Sequence, residues 1–151
     1  MAPTTKRPAK AKVVKNAVAT KKDMGRILFI DDEPDVVEPL MEAARAFGFS
    51  ARLLEDGARF EDALASFVPT HVVVDLVMPQ IDGIDILLAL ARLETPPKII
   101  VMTGYHWGVM ESARILAESH DLRDIGWLKK PVDLDTFEAM LSTKAATERP
   151  A

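Results

Sequence analysis

Along residues 25–143, short continuous apolar runs alternate with segments whose apolar positions recur every three or four residues. The runs at 26–31, 51–54, 70–75, 98–102 and 125–128 predict five strands. Those at 70–75 and 98–102 are rich in β-branched residues, as suits central strands covered on both faces. Between the runs the spacing predicts helices over 34–47, 58–67, 83–93, 107–118 and 133–141. The first helix opens with Pro34, carries Val36, Val37, Leu40, Met41, Ala44 and Phe47 on one face, and stops at Gly48. Pro39 lies inside it, where it removes a backbone hydrogen bond and bends the helix; no function attaches to it at this level. The third helix is expected to turn Ile84, Leu87, Leu88 and Leu90 or Ala91 inward. Five strands alternating with five helices predict an α/β fold, a parallel sheet with helices on both faces.

In such a sheet ligands bind beyond the carboxyl ends of the strands. Three runs end there in charge. Gly25–Ile30 stops at Asp31-Asp32-Glu33, Thr70–Val74 stops at Asp75, and Ile125–Leu128 stops at Lys129-Lys130-Pro131. Carboxylates from two buried strands with a lysine from a third predict an acidic pocket able to hold a hard divalent cation and accept a phosphoryl group.

Composition narrows this picture. Cysteine is absent, which excludes thiolate nucleophiles, thiolate metal sites and disulfides. No apolar stretch approaches the roughly 20 residues a membrane span needs, and no apolar core of a signal peptide stands near the N-terminus. A cytoplasmic protein is the expectation. The net charge of −4 conceals two regions. Lys6, Arg7, Lys10, Lys12, Lys15, Lys21 and Lys22 face only Asp23 in the first 23 residues, a net +6, while the remainder holds 12 basic against 22 acidic residues, a net −10. Residues 1–24 are expected to form a disordered basic arm, with residues 6–22 a weak anchor for nucleic acid, an anionic surface or an acidic protein, or else a solubilising tail. A transit peptide is a weaker reading of the same composition.

Taken together, Asp31-Asp32, Asp75 with Pro79 and Asp82-Gly83, Thr103-Gly104, and Lys130-Pro131 resemble the signature of response-regulator receiver domains. The resemblance covers residues 25–143, with 144–151 a flexible tail. It implies a flavodoxin-like doubly wound sheet of order 2-1-3-4-5 and a phosphoacceptor, Asp75, charged from a sensor histidine kinase or a histidine phosphotransfer protein. It also implies Mg²⁺ held by Asp32 and Asp75, by Asp31 mostly through water, and by the Val77 backbone carbonyl. Lys130 would contact a phosphoryl oxygen, with its bond to Pro131 a cis peptide. Thr103 and Trp127 would be the switch pair, tryptophan standing where tyrosine or phenylalanine is usual. With only a polar tail after residue 143, the expectation is a stand-alone receiver that acts by binding, as a relay or phosphate sink, or as a homodimer through helix four, strand five and helix five. It would have no turnover of its own beyond self-catalysed gain and loss of phosphate.

Each residue also has a plainer reading. Asp32 could cap the following helix, Asp82-Gly83 reads more readily as turn and capping chemistry, and Lys129 as a solvated neighbour. Glu118–Asp124 lengthens the interval from Thr103 to Lys130 and is expected to reshape the helix four–strand five surface. Tyr105-His106-Trp107 divides between packing and partner docking. Two rivals remain: a phosphate-independent interaction module of the same fold, and a haloacid-dehalogenase-type phosphotransferase. The second conflicts with Val77 two residues past Asp75, where that family has aspartate. A nucleic-acid tether through the arm would show as salt-dependent binding. Val77 and Tyr105, two residues past Asp75 and Thr103, stand at positions that the resemblance implies flank the pocket, and apolar groups there predict slow loss of phosphate; a phosphoprotein half-life of seconds, followed by intact mass after donor removal, would contradict this.

Overall fold

The computed structural model describes residues 23–79, 81–104, 107–122 and 124–142, with Trp107 described by its backbone alone. The basic segment 1–22, Tyr105, His106 and the tail 143–151 lie outside the described residues. Five strands, β1 (Gly25–Ile30), β2 (Phe49–Leu54), β3 (His71–Asp75), β4 (Lys98–Thr103) and β5 (Ile125–Lys129), form one parallel sheet of order β2-β1-β3-β4-β5. The helices are α1 (Pro34–Ala46), α2 (Phe60–Phe67), α3 (Gly83–Ala91), α4 (Trp107–Ser119) and α5 (Leu134–Ser142). Among the described residues no helix is long and apolar enough to cross a membrane.

Because successive strand side chains face opposite ways, each central strand feeds two cores. Leu28, Ile30, Val72, Val74, Ile99 and Val101 pack with α2, α3 and Ala113 of α4. Ile27, Phe29, Val73, Ile100, Met102 and Leu128 pack with α1 and α5, where Phe29 and Phe137 have ring centroids 6.2 Å apart. Burying each such side chain is worth about 1.5–3 kcal/mol, so these two layers anchor the frame on which the charged strand ends sit.

The structure adjusts several expected boundaries. β2 begins at Phe49 rather than residue 51, because Gly48, at φ 104°, turns the chain directly into pairing of Phe49 with Gly25. The second helix opens as a 3₁₀ turn, Gly57–Arg59, capped by Asp56, whose Oδ1 accepts from the Ala58 amide. The fifth begins at Leu134, one residue after Asp133, whose Oδ2 accepts from the Thr136 amide and hydroxyl. The inner face of α3 is a correction: Gly83, Ile86, Leu87 and Leu90 are buried, while Ile84, Leu88 and Ala91 are only partly so. The helix is apolar nearly all round, so its sequence gives little phase; its orientation is set by Gly83. The Gly83 amide donates to the Leu76 carbonyl, and a Cβ at Gly83 would stand 2.5 Å from the Leu76 Cα and 2.7 Å from its carbonyl oxygen. Those atoms are backbone of the loop that follows Asp75, so they cannot swing aside.

Gly83→Ala is therefore expected to destabilise the protein by about 1–3 kcal/mol through forced overpacking. Gly108→Ala, where a Cβ meets nothing within 4 Å, should be neutral or stabilising by up to about 1 kcal/mol. Urea unfolding midpoints compare the two; equal effects would show that the close approach at Gly83 does not matter.

Candidate functional site

Strand register assembles the charged ends. Ile30 pairs with Val74, so Asp31 leaves β1 beside Asp75 on β3; Asp75 pairs with Met102, and Thr103 with Lys129. Three adjacent strands thus deliver Asp31, Asp75 and Thr103 to one rim, and β5 brings Lys130 next to it through a hydrogen bond from the Lys130 amide to the Thr103 carbonyl, 2.8 Å. The Lys130–Pro131 peptide is cis.

Asp31 is fully buried and Asp75 is 4% exposed. Each is fixed by the amide two residues ahead: Glu33 N–H donates to Asp31 Oδ1 at 2.9 Å, and Val77 N–H to Asp75 Oδ1 at 3.0 Å. Their second oxygens face Lys130, whose Nζ lies 3.0 Å from Asp75 Oδ2 and 3.2 Å from Asp31 Oδ2. The contact to Asp75 is a hydrogen bond, whereas Asp31 Oδ2 is within ion-pair reach but has no hydrogen-bond partner. Glu33 Oε1 accepts a third contact from Nζ at 3.1 Å. Asp31, Asp32, Glu33 and Asp75 each offer a carboxylate oxygen within 4.8 Å of the others. Three of these carboxylates, those of Asp31, Glu33 and Asp75, therefore share the Lys130 ammonium.

The protonation energetics record this imbalance. Burial, reinforced by the charge of Asp75, pushes the Asp31 carboxyl up to about 6 despite the Glu33 amide and Lys130. Burial would lower Lys130, but its hydrogen bond to Asp75 and the charges of Asp75, Asp31 and Glu33 outweigh it and hold the ammonium well above the ordinary lysine range. The two directions agree once the ammonium is seen to serve Asp75 first, leaving Asp31 under-compensated. An all-oxygen donor set with an orphaned buried carboxylate oxygen is a fit for a hard divalent cation. Magnesium, which the resemblance implies, fits these residues.

Asp31, Asp32, Asp75, Val77 and Lys130 thus come together. Asp32 is half-buried and, with Asp75, Val77, Gly104 and Lys130, lines a groove of about 680 Å³. Val77 is 42% exposed and pairs as an isolated antiparallel bridge with Asp82. Asp82 is a cap: its Oδ1 accepts from the Ile84 amide at 2.9 Å. Thr103 is buried at the end of β4 with its hydroxyl unpartnered, and Gly104, not Thr103, reaches the groove. Trp127 is half-buried against the core beside α4, and the Arg114 guanidinium lies over its ring, 5.2 Å from the centroid. After α4 the chain turns at Asp121, with φ 63°. Two features escaped the sequence reading. Glu33, the third acid of its run, contacts Lys130, and an apolar wall of Val36, Pro39 and Leu40 on α1 facing Pro131, Val132 and Leu134 flanks the carboxylates. The acidic run itself was the signal for Glu33; the wall has none, since its two halves lie nearly a hundred residues apart.

Comparison with known proteins points the same way. The family model for the response regulator receiver domain matches residues 27–142. The chain is 30% identical over 127 residues to the transcriptional regulatory protein FixJ of Bradyrhizobium diazoefficiens, covering 84% of this chain and 60% of that protein. It is 32% identical over 118 residues to the regulatory protein AtoC of Escherichia coli, covering 78% of this chain and 24% of that protein. It therefore spans between a quarter and three fifths of the length of these curated relatives. The crystal structure of a response regulator from Colwellia psychrerythraea superposes with a TM-score of 0.66 at 26% identity, covering 83% of this chain and 99% of that one. On sheet order, acidic rim and this match across most of its length, the chain belongs to the response regulator receiver domain family of two-component signalling.

Proposed function

We propose that this receiver accepts a phosphoryl group on Asp75 from a phosphohistidine donor and that the added charge changes what the protein binds. The observation that carries the reading is the shared ammonium: Lys130 Nζ sits 3.0 Å from Asp75 Oδ2 within a four-carboxylate rim. In the transfer, Asp75 Oδ2 attacks phosphorus, the P–N bond breaks, and its electron pair returns to the donor imidazole. Lys130 exchanges its bond to Asp75 for one to a phosphoryl oxygen, a charge-assisted contact. Asp31, Asp32, Asp75 and the Val77 carbonyl would hold the magnesium, which supplies positive charge to an otherwise repulsive approach of two anions. The Thr103 hydroxyl, without a hydrogen-bond partner, is available to donate to the new phosphoryl group, and a shift there bears on Trp127, which pairs with Val101 two residues back along β4.

The apolar wall gives the donor protein a docking surface beside the reacting atoms and assigns Pro39 a place in it. Pro39 is exposed within α1, so it presents a flat apolar ring at no cost to the core. A phosphate-independent binding module is the second reading, and the full carboxylate set with Lys130 weighs against it.

Incubation with acetyl phosphate and Mg²⁺ is expected to add one phosphoryl mass to the wild type and none to Asp75→Asn, by intact mass spectrometry. Equal labelling of the variant, or none of the wild type, would overturn the assignment. Pro39→Glu should label normally from acetyl phosphate but slowly from a phosphohistidine protein; equal slowing with both donors would remove Pro39 from the docking surface.

A second expectation concerns Asp31. Its folded pKa stands above the value of 3.8 usual for aspartate, so the contribution is fully present below about pH 4 and is lost as pH rises toward 6. Above that it amounts to a cost on the order of 3 kcal/mol in the metal-free protein. Asp31→Asn should flatten the fall in stability between pH 4 and 7, read from urea unfolding in EDTA, and should gain less from added Mg²⁺ than the wild type. A variant with the wild-type pH slope would show that Asp31 is not the strained carboxylate.

A further inference from the structure

The other end of the sheet carries a second groove, of about 510 Å³, between α2 and α3. Leu64 and Val68 form one wall and Ala89 and Leu93 the other, and Val68 and Leu93 are 59% and 40% exposed. The charged residues lining it are Glu61 and Glu94, both acidic. An apolar floor with an acidic border fits a cationic peptide that also has apolar side chains.

Such a segment enters the fold beside this groove. The chain joins β1 through Met24 and Gly25, and Gly25 lies against Thr70, where a Cβ would collide with the Thr70 hydroxyl. The Arg26 amide donates to Thr70 Oγ1 at 2.9 Å, and Arg26 Nε donates to the Val68 carbonyl at 2.8 Å. Val68 is itself a wall of the groove. The preceding residues, 1–22, carry seven basic side chains with Val13, Val14 and Val18 among them, and no acid. Even as a flexible coil, 22 residues span about 25 Å, and tethering places them near the groove at an effective concentration on the millimolar scale. The carboxylate rim is a competing target by charge. It stands at the far end of six-residue strands, about 20 Å away, and already holds the Lys130 ammonium.

We propose that the basic segment 1–22 docks intramolecularly in the α2–α3 groove, its lysines facing Glu61 and Glu94 and its valines covering Leu64, Val68 and Leu93. The docked arm covers the exposed apolar surface of the sheet's amino end and leaves the carboxylate rim open. It also withholds the arm's lysines from other anionic partners until those partners outcompete two carboxylates.

The chain has no cysteine, so a nitroxide can be attached to the full-length protein through Ala11→Cys alone. In ¹⁵N-labelled protein the amide signals of Val68, Leu93 and Glu94 are expected to be lost to the spin label and restored on its reduction. Raising the salt from about 0.1 M to about 1 M shortens the screening length from about 10 Å to about 3 Å and should recover them. Glu61→Lys with Glu94→Lys, both at exposed positions, should recover them at low salt. Loss centred on Asp31–Glu33 and Asp75, or no localised loss, would overturn the proposal. Loss that also appears on ¹⁵N chains mixed with labelled ¹⁴N chains would overturn it in favour of docking on a second copy.

Discussion

Everything at the working end of this protein depends on one constraint: parallel register puts Asp31 and Asp75 side by side at the ends of neighbouring buried strands. Two carboxylates held there without a cation would repel in a region that water cannot screen. Lys130 answers that repulsion from a fourth strand, 55 residues beyond Asp75 and 97 beyond Glu33. Its ammonium ties β1, β3 and β5 together at the rim, as their ladders do lower down. Because the one Lys130 ammonium is shared among Asp31, Glu33 and Asp75, the same contact that closes the fold leaves the described rim short of positive charge. In the proposed function, that deficit is what a cation and then a phosphoryl group would meet at the rim.

The deficit has a structural cost, visible as two buried oxygens without hydrogen bonds, Asp31 Oδ2 and Thr103 Oγ1. Unsatisfied groups of this kind cost about 1–3 kcal/mol each, and the 3.2 Å ion-pair contact of Lys130 with Asp31 Oδ2 does not by itself offset them. The two cores do, because the strands that carry the orphaned atoms are also those buried on both faces. Phe29, Val73 and Met102 on one side and Ile30, Val74 and Val101 on the other hold the strand ends rigid up to the residue before each polar group. A site left under-satisfied for function is tolerable where the backbone beneath it has no freedom to relax the misfit.

Much of this was legible in the sequence because its signals are local. The strands are continuous apolar runs ending in charge, the α1 face is strongly amphipathic, and the acids and the lysine fall where runs stop. What was not legible is what only three dimensions specify. The α3 sequence, Gly83-Ile84-Asp85-Ile86-Leu87-Leu88-Ala89-Leu90-Ala91, is apolar on nearly every face, so its rotation follows from the Gly83 contact with Leu76 rather than from periodicity. The 3₁₀ turn at Gly57 depends on Asp56 reaching the Ala58 amide, a choice that composition does not reveal. The contact of Glu33 with Lys130, the stacking of Arg114 on Trp127 and the wall that includes Pro39 join residues from separate elements. Their halves lie from 13 residues apart, for Arg114 and Trp127, to 97 apart, for Glu33 and Lys130, and no periodicity connects them.

Helix α3 runs from the loop that follows Asp75 to the α2–α3 groove. It begins at Gly83, hydrogen-bonded to the first residue after Asp75, and it ends at Ala91, just before Leu93 and Glu94 on the border of the α2–α3 groove. Nine helical residues make a strut of about 14 Å, and Ile86, Leu87 and Leu90 fix it to the sheet along its length. A helix so packed moves as a body or not at all. A change at the Asp75 loop that is absorbed within residues 76–82 leaves the far groove untouched. One that crosses the Gly83–Leu76 contact, where the Gly83 amide donates to the Leu76 carbonyl, meets the first turn of α3. The missing Cβ at Gly83 lets the loop and the helix meet backbone to backbone, so α3 is seated on the Asp75 loop at one end while its other end borders the α2–α3 groove.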